Sequence, residues 1–190
     1  MPTAHSAPLL EVAHLHKRFG PVHAVRGVSF RLAAGETLAI AGGDGSGKTM
    51  VAKVIAGFYA PDGGELRYFG RTYRFASADD ARAAGVGFVC QDQAFAGRSG
   101  LAKGVRAHVA PRILVLDEPE AALSPGLRDK LAALIESLKH DGAGVIFVSR
   151  HLDDIFAFAD RIIVLRKGAM VGERHAAATD PDEVARLMDG

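Results

Sequence analysis

The sequence has little cysteine, little net charge and no long hydrophobic run. Each of these features excludes certain kinds of site or function. Cys90 is the only cysteine among 190 residues, so an internal disulfide is impossible and a cysteine-based metal site lacks a second thiol. This composition fits a reducing compartment such as the cytosol. Lysine and arginine number 23 against 22 aspartate and glutamate, so no overall field draws the chain to nucleic acid.

The apolar runs are short. RILVL, GVIFV and RIIVL have about five residues each, whereas a membrane-spanning helix needs about 20. The first residues, MPTAHSAPLLEV, have neither the basic start nor the apolar core of a secretory signal. We therefore expect a cytoplasmic chain without membrane helices of its own, folded as one domain over residues 1–190.

Short β-branched runs alternate with segments of helical period, which predicts an α/β fold with a mostly parallel sheet. The expected central strands are TLAIA, VGFVC, RILVL, GVIFV and RIIVL. The earlier segments LLEVAHL, AVRGVSFRL and ELRYFG predict a separate N-terminal antiparallel β layer.

Two longer segments, KTMVAKVIAGF and PGLRDKLAALIESLKH, predict helices packed on the sheet. The first helix should bury one apolar face, formed by Met50, Val51, Val54, Ile55 and Phe58. A third, short helix is expected at the end of the chain, with Pro181 in its first turn.

The segment GGDGSGKT at residues 42–49 matches the pattern GxxxxGK[ST] and stands between a predicted strand and a predicted helix. Its glycines let the backbone amides face phosphate oxygens, and the following helix adds its positive N-terminal end. Lys48 is expected to reach the β and γ phosphates of ATP, and the Thr49 hydroxyl to bind Mg²⁺. We assign nucleotide binding to Gly42, Gly43, Asp44, Gly45, Ser46, Gly47, Lys48, Thr49 and Met50.

A second motif, RILVLDEP, ends an apolar strand in the paired carboxylates of Asp117 and Glu118. Beside a P-loop, Asp117 is expected to hold Mg²⁺ through water, and Glu118 to orient or deprotonate the attacking water. The alternatives are a strand end with solvated acids and, for the first motif, a glycine-rich turn that binds nothing.

These motifs resemble the nucleotide-binding domains of ABC transporters, in which DEP directly follows the acidic strand. The resemblance covers nearly the whole chain and implies a P-loop NTPase fold with ATP and Mg²⁺ bound. It implies that Phe19 in KRFG stacks on adenine. It also implies that Gln91 in GVGFVCQD senses the γ phosphate, takes part in catalysis and contributes to the metal site beside Thr49 and Asp117.

The stretch PDGGELRYFGRTYRFASADDARAAGVGFVCQD, with VLRKGAMVGE and LMDG near the end, is similar to the ATPases of simple-sugar and nucleoside importers. This resemblance implies a peripheral position on the inner face of the cell membrane. The implied partners are transmembrane permease subunits and a second ATP-binding domain, which in these relatives commonly lies on the same chain.

The sequence departs from the family after Gln91. Only 19 residues separate Gln91 from Pro111, so the family's helical subdomain and LSGGQ signature are largely deleted, with Ser99 and Gly100 as the remaining trace. In relatives the signature closes over nucleotide bound by the partner, and the subdomain docks on the membrane subunit. We therefore expect the isolated chain to hydrolyse ATP slowly or not at all.

Smaller departures lie downstream. Glu120 and Ser124 replace the usual residues of the family's D-loop. Arg150 occupies the place of the family's switch histidine, and His151, the candidate for that catalytic role here, comes one residue later. His151 either swings into the site or is a solvated or helix-capping residue.

Two other functions compete with that of a transporter ATPase. A small-molecule P-loop kinase would use GKT but would not account for Phe19 and DEP. A shortened module would bind ATP without hydrolysing it or driving transport.

Overall fold

The structure, a computed structural model, describes residues 7–90, 111–119 and 125–190. Some of the residues singled out above lie outside these ranges: Gln91, Ser99, Gly100, Glu120 and Ser124. The interpretations given for them stay predictions.

The N-terminal part of the chain forms an antiparallel sheet, which confirms the predicted β layer. Its strands are β1 (Leu10–Phe19), β2 (Val22–Leu32), β4 (Gly63–Tyr68) and β5 (Arg71–Thr72), in the spatial order β2-β1-β4-β5. Leu10, Leu15 and Leu32 point into the protein interior and join one hydrophobic cluster with the central sheet. This layer therefore packs against the part of the fold that carries the P-loop.

A second sheet forms the centre of the fold, and the described residues contribute six strands to it. They are β3 (Thr37–Ala41), β6 (Val86–Cys90), β7 (Ile113–Asp117), β8 (Gly144–Ser149), β9 (Arg161–Arg166) and β10 (Ala169–His175). The order is β10-β9-β3-β8-β7-β6, and all neighbours are parallel except β10, which pairs antiparallel with β9. The prediction of a mostly parallel sheet is confirmed. Strands β3, β7 and β8 are buried along their whole length, which is why they read as continuous apolar runs.

The described helices are α1 (Lys48–Ile55), α2 (Ala78–Ala83), α3 (Pro125–His140), α4 (Leu152–Phe158) and α5 (Pro181–Asp189). Side-chain caps fix the start of two of them. Ser77 accepts a hydrogen bond from the Asp80 N–H before α2, and Asp180 accepts one from Glu183 before α5. Among the described helices, none combines the length and apolar character needed to cross a bilayer.

The first helix is shorter than predicted. It ends at Ile55, whereas the sequence pattern extended it to Phe58. Gly57 takes a left-handed conformation with φ of +77°, which a helix cannot continue through. Val51 and Val54 are buried as expected. Phe58 was wrongly placed on that buried face: it follows the helix and is 47% exposed.

The strand order brings three chain segments to one edge of the sheet. The pairing of Ala41 with Ser149 and of Asp117 with Val148 aligns the carboxyl ends of β3, β7 and β8. The P-loop, the acidic pair and the residues after β8 therefore lie side by side. Ligands of open α/β sheets bind at this edge.

Candidate nucleotide-binding site

The loop at residues 42–47 has a backbone that requires glycine. Gly47 adopts φ of +96°, and a Cβ atom there would lie 2.5 Å from the carbonyl oxygen of Ala24. The loop is held from outside, because Gly168, in the turn between β9 and β10, donates its N–H to the Ser46 carbonyl at 3.0 Å. Helix α1 starts directly after this loop, and its first amides have no acceptor within the helix. This arrangement is suited to binding an anion.

Lys48 is buried at the start of α1 and directed over its own loop. Its Nζ donates a hydrogen bond to the Gly43 carbonyl at 2.9 Å and lies 3.9 Å from a carboxylate oxygen of Glu118. Burial lowers the pKa of Lys48, and the negative charge of Glu118 opposes that shift. The ammonium thus has partners that phosphate oxygens can replace.

The Thr49 hydroxyl lies beside the other acidic residue. It donates a hydrogen bond to Oδ1 of Asp117 at 3.2 Å. Asp117 is buried, and burial raises the pKa of its carboxyl group, while the hydrogen bond from Thr49 opposes that shift. A buried carboxylate next to a hydroxyl is an oxygen donor set that suits a hard divalent cation such as Mg²⁺.

Glu118 has an unusual backbone. Its φ is +48°, in the left-handed region that residues other than glycine, asparagine and aspartate seldom adopt. Its N–H donates to the Val148 carbonyl at 2.9 Å, which fixes the turn at the end of β7. This conformation leaves the carboxylate facing Lys48 and the cavity. Strained positions of this kind concentrate at functional sites.

A cavity of 610 Å³ opens above the P-loop and is within the range of about 300–1,000 Å³ typical of small-molecule sites. It is lined by residues 44–50 and Glu118, and by Pro21, Val22 and His23 from the turn before β2 and its start. Two further cations line it, Arg26 on β2 and Lys167 in the turn before β10. The sequence reasoning missed both, although the RKG turn was visible as a sequence motif. Their charge favours a polyanionic ligand.

Phe19 stands at the end of β1, next to the turn that forms part of the cavity wall. The residue is 39% exposed, and its ring meets the ring of Tyr59 edge-on, with centroids 5.2 Å apart. The strand end is held by Asp62, which accepts a hydrogen bond from the Arg18 N–H at 2.6 Å. Phe19 is thus accessible and anchored, and adenine stacking stays a prediction.

The loop after β8 brings Arg150, and not His151, to the P-loop. Nη1 of Arg150 lies 3.2 Å from each carboxylate oxygen of Asp44. His151 is exposed at the N-terminal end of α4 and makes no side-chain capping bond there. Its catalytic role therefore also stays a prediction.

Curated relatives match nearly the whole chain. The ribose import ATP-binding protein RbsA 1 of Burkholderia thailandensis is 34% identical over 236 residues, which cover 96% of this chain and 47% of that protein. RbsA 2 of Rubrobacter xylanophilus is 32% identical over 244 residues, covering 100% of this chain and 47% of the relative. The sequence pattern of the ABC transporter family matches residues 25–103. The chain belongs to the ABC transporter family and is a nucleotide-binding domain.

This ABC domain spans about half the length of the curated relatives it matches. The alignment with the B. thailandensis protein runs over 236 positions, although the chain itself has 190 residues. The relative therefore has residues without a counterpart here, and the shortening expected after Gln91 stays a prediction.

Solved structures agree on the fold. An ATP-binding cassette of an ABC transporter in its ADP conformation superposes with a TM-score of 0.81 at 20% identity, covering 97% of this ABC domain and 100% of that chain. A nucleotide-free ATP-binding cassette gives a TM-score of 0.75 at 18% identity, with coverage of 97% and 96%. These likenesses establish the ABC cassette fold.

Proposed function

We propose that the chain is the ATP-binding domain of an ABC importer for a sugar or related small solute. It binds ATP with Mg²⁺ in the cavity above the P-loop. As an isolated chain it hydrolyses ATP slowly or not at all.

The observation that carries this proposal is the meeting of four side chains at the carboxyl edge of the sheet. Lys48 lies 3.9 Å from Glu118, and Thr49 lies 3.2 Å from Asp117. The pairs come from segments far apart in the chain, and each group has a distinct task in phosphoryl transfer. Lys48 neutralises the β and γ phosphates, and Glu118 orients or deprotonates the water.

Thr49 and Asp117 are the residues that would hold Mg²⁺. The fit rests on their chemistry, since a hydroxyl and a buried carboxylate are hard oxygen ligands. When bound, the ion neutralises charge on the phosphates. Asp117 would then have a positive neighbour, which removes the cost of its buried charge.

The importer assignment is supported by the relatives, which are named ribose import ATP-binding proteins. A domain of this kind works with membrane subunits that choose the solute. We therefore infer transmembrane permease subunits and a second ATP-binding domain as partners, and a peripheral position on the cytoplasmic face of the membrane. The chain spans about half of each relative, and a second ATP-binding domain of similar size would fit the remaining half.

A second candidate function is a module that holds ATP without turning it over. The relative has residues without a counterpart in this chain, and their absence favours this second function. Charge that develops on the γ phosphate must be met by preorganised donors in a site closed to water. The missing family signature is part of that closure.

Calorimetry of the isolated chain with Mg·ATP tests the site. Lys48→Ala should abolish binding or weaken it at least tenfold, a loss of about 1.4 kcal/mol or more in binding free energy, since it removes the fixed cation facing the phosphates. Lys130→Ala is the matched control, because Lys130 is an exposed lysine on α3. Equal affinities for all three proteins would contradict the assignment.

The importer assignment has a separate test in cells. Uptake of radiolabelled ribose and of related sugars is compared between cells that make the wild-type protein and cells that make the Lys48→Ala variant. Reduced uptake of one sugar supports the proposal, and unchanged uptake of all of them contradicts it.

A further inference from the structure

A second cavity lies away from the P-loop and shares no lining residue with the nucleotide cavity. Its volume is 390 Å³, within the range of about 300–1,000 Å³ typical of small-molecule sites. Ala84 and Arg112 line it and directly precede the parallel strands β6 and β7. The cavity is therefore at the amino ends of these strands, whereas the P-loop lies at the carboxyl edge of the sheet.

Aromatic side chains form much of the lining of this second cavity. The ring of Phe75 contacts the rings of Tyr68 and Tyr73, with both pairs of centroids 4.7 Å apart. Tyr68 is buried, and its hydroxyl donates a hydrogen bond to the Ile55 carbonyl at 2.7 Å, which anchors the group to the end of α1. Tyr73 is 46% exposed, so it offers ring surface on which a flat aromatic ligand can stack.

The Arg112 side chain is held in place at this cavity by an aromatic ring and a glycine. Its guanidinium carbon lies 3.6 Å from the centroid of the Phe69 ring. Its Cγ passes Gly85, where an added Cβ would lie 3.5 Å from it. Phe69 is fixed in turn, because its N–H donates to the Leu9 carbonyl at 2.9 Å. Stacking on the ring face leaves the N–H groups in the guanidinium plane available to a ligand.

Arg112 shares the cavity with a second arginine, Arg71 on β5. Within residues 7–90, 111–119 and 125–190, neither guanidinium has a hydrogen-bond acceptor or an acidic partner. Arg67 on the neighbouring strand differs, since it forms an ion pair with Glu65 at 2.8 Å. The described residues that line the cavity include no carboxylate. Two positive charges around one cavity favour an anionic ligand, and guanidinium groups suit a carboxylate or phosphate.

We propose that this second cavity binds a small aromatic anion, a molecule with a flat ring and a phosphate or carboxylate group. The ring stacks on Tyr73 and Phe75, and the anionic group accepts hydrogen bonds from Arg71 and Arg112. The inference goes beyond the proposed function and does not depend on it, because the two cavities are separate.

The experiment is an NMR titration of the whole ¹⁵N-labelled chain with three probes: phenyl phosphate, benzoate, and inorganic phosphate as an anion without a ring. The backbone amides of Gly85 and Arg112 report on the second cavity, and those of Gly45 and Gly47 on the P-loop. At least one aromatic anion should shift the Gly85 and Arg112 signals saturably, and inorganic phosphate should bind there at least about tenfold more weakly. The tighter of the two aromatic probes identifies the anionic group.

Variants then test the two kinds of contact. Arg112→Ala should weaken binding of the aromatic anion about tenfold or more, and Arg112→Lys should restore only part of it, because an ammonium lacks the planar fork. Tyr73→Ala should weaken the aromatic anion about threefold or more and leave inorganic phosphate unchanged. Arg82→Ala is the matched control, because Arg82 forms an exposed ion pair with Asp79 on α2, and it should change no affinity. Unchanged signals elsewhere in the spectrum show that each variant is folded.

Three results would overturn the proposal. The first is that neither aromatic anion shifts the Gly85 and Arg112 amides saturably, including the case in which only Gly45 and Gly47 respond. The second is that inorganic phosphate binds at the second cavity as tightly as the aromatic anions. The third is an equal affinity of Arg112→Ala and the wild-type chain.

Discussion

The Thr49 hydroxyl donates a hydrogen bond to Asp117 at 3.2 Å and so connects the first turn of α1 to the end of β7. The two residues are 68 positions apart, and the strand order brings them together. Asp117 is buried, and this burial raises the pKa of its carboxyl group. The nucleotide-free domain therefore carries a charge in an unfavourable environment that a cation relieves.

The raised pKa of Asp117 makes stability depend on pH. The native chain holds the proton to higher pH than the unfolded chain does, so the stability from this residue is present in acid and is lost as pH rises through the folded pKa. Asp117→Asn removes that loss. We expect a melting temperature a few degrees above wild type at neutral pH, without metal or nucleotide, and no difference below about pH 4.

Asp141→Asn is the control for this prediction, because Asp141 is an exposed residue after α3 and should leave the melting temperature unchanged. A neutral-pH melting temperature of Asp117→Asn below that of wild type would show that its ionised form stabilises the empty protein.

Gly47→Ala should unfold the P-loop region or shift it. The new Cβ would meet the Ala24 carbonyl oxygen at 2.5 Å, and φ of +96° is unfavourable for alanine. We expect a loss of about 2 kcal/mol or more in the free energy of unfolding, measured by urea denaturation. Gly43→Ala is the matched variant, since nothing lies within 4 Å of its Cβ, and it should keep wild-type stability. Equal stabilities of the two variants would contradict this geometry.

Glu118→Gln should retain ATP binding and lose whatever phosphate release the protein has. The amide cannot take a proton from water, but it keeps the shape of the side chain. His151→Ala and Arg150→Ala, assayed at saturating ATP, should reduce turnover less, because His151 is an exposed residue before α4 and Arg150 cannot shuttle a proton. A loss from His151→Ala as large as that from Glu118→Gln would assign the histidine to the reaction.

Phe19→Ala should weaken ATP and ADP by the same factor. Both nucleotides carry adenine, and stacking on an aromatic ring contributes about 1–3 kcal/mol per base. Phe58→Ala is the control, because Phe58 is a partly exposed ring that packs on Phe88. Calorimetry that finds ATP alone affected would argue against adenine stacking at Phe19.

The sequence predicted the elements whose pattern is local. The strand TLAIA is observed with the predicted bounds, Thr37–Ala41, because a strand buried on both faces is a continuous apolar run. The P-loop was found because its glycines, lysine and threonine are contiguous. The predicted end of α1 was wrong. Gly57 takes a left-handed conformation and approaches the Ser77 carbonyl closely, a contact between separate segments that the local pattern does not show.

Contacts between segments far apart in the chain could not be predicted from the local sequence pattern. The edge strand β10 is half-buried and interrupted by Gly172, so its residues do not show the apolar run of a central strand. The ion pair of Arg150 with Asp44 joins loops 106 residues apart. Sequence alone identified Arg150 as a departure from the family, but only the strand order shows what it meets.

The central claim is that this domain binds Mg·ATP without efficient hydrolysis, and one sample can test both parts. The melting temperature and released phosphate are followed together as Mg·ATP is added to the isolated chain. Nucleotide present at roughly 100 times its dissociation constant stabilises the folded state by about 2.7 kcal/mol, so a clear upward shift is expected, with negligible phosphate release at every Mg²⁺ concentration. Rapid phosphate release with dimerisation on ATP addition, or no melting shift at all, would contradict the account.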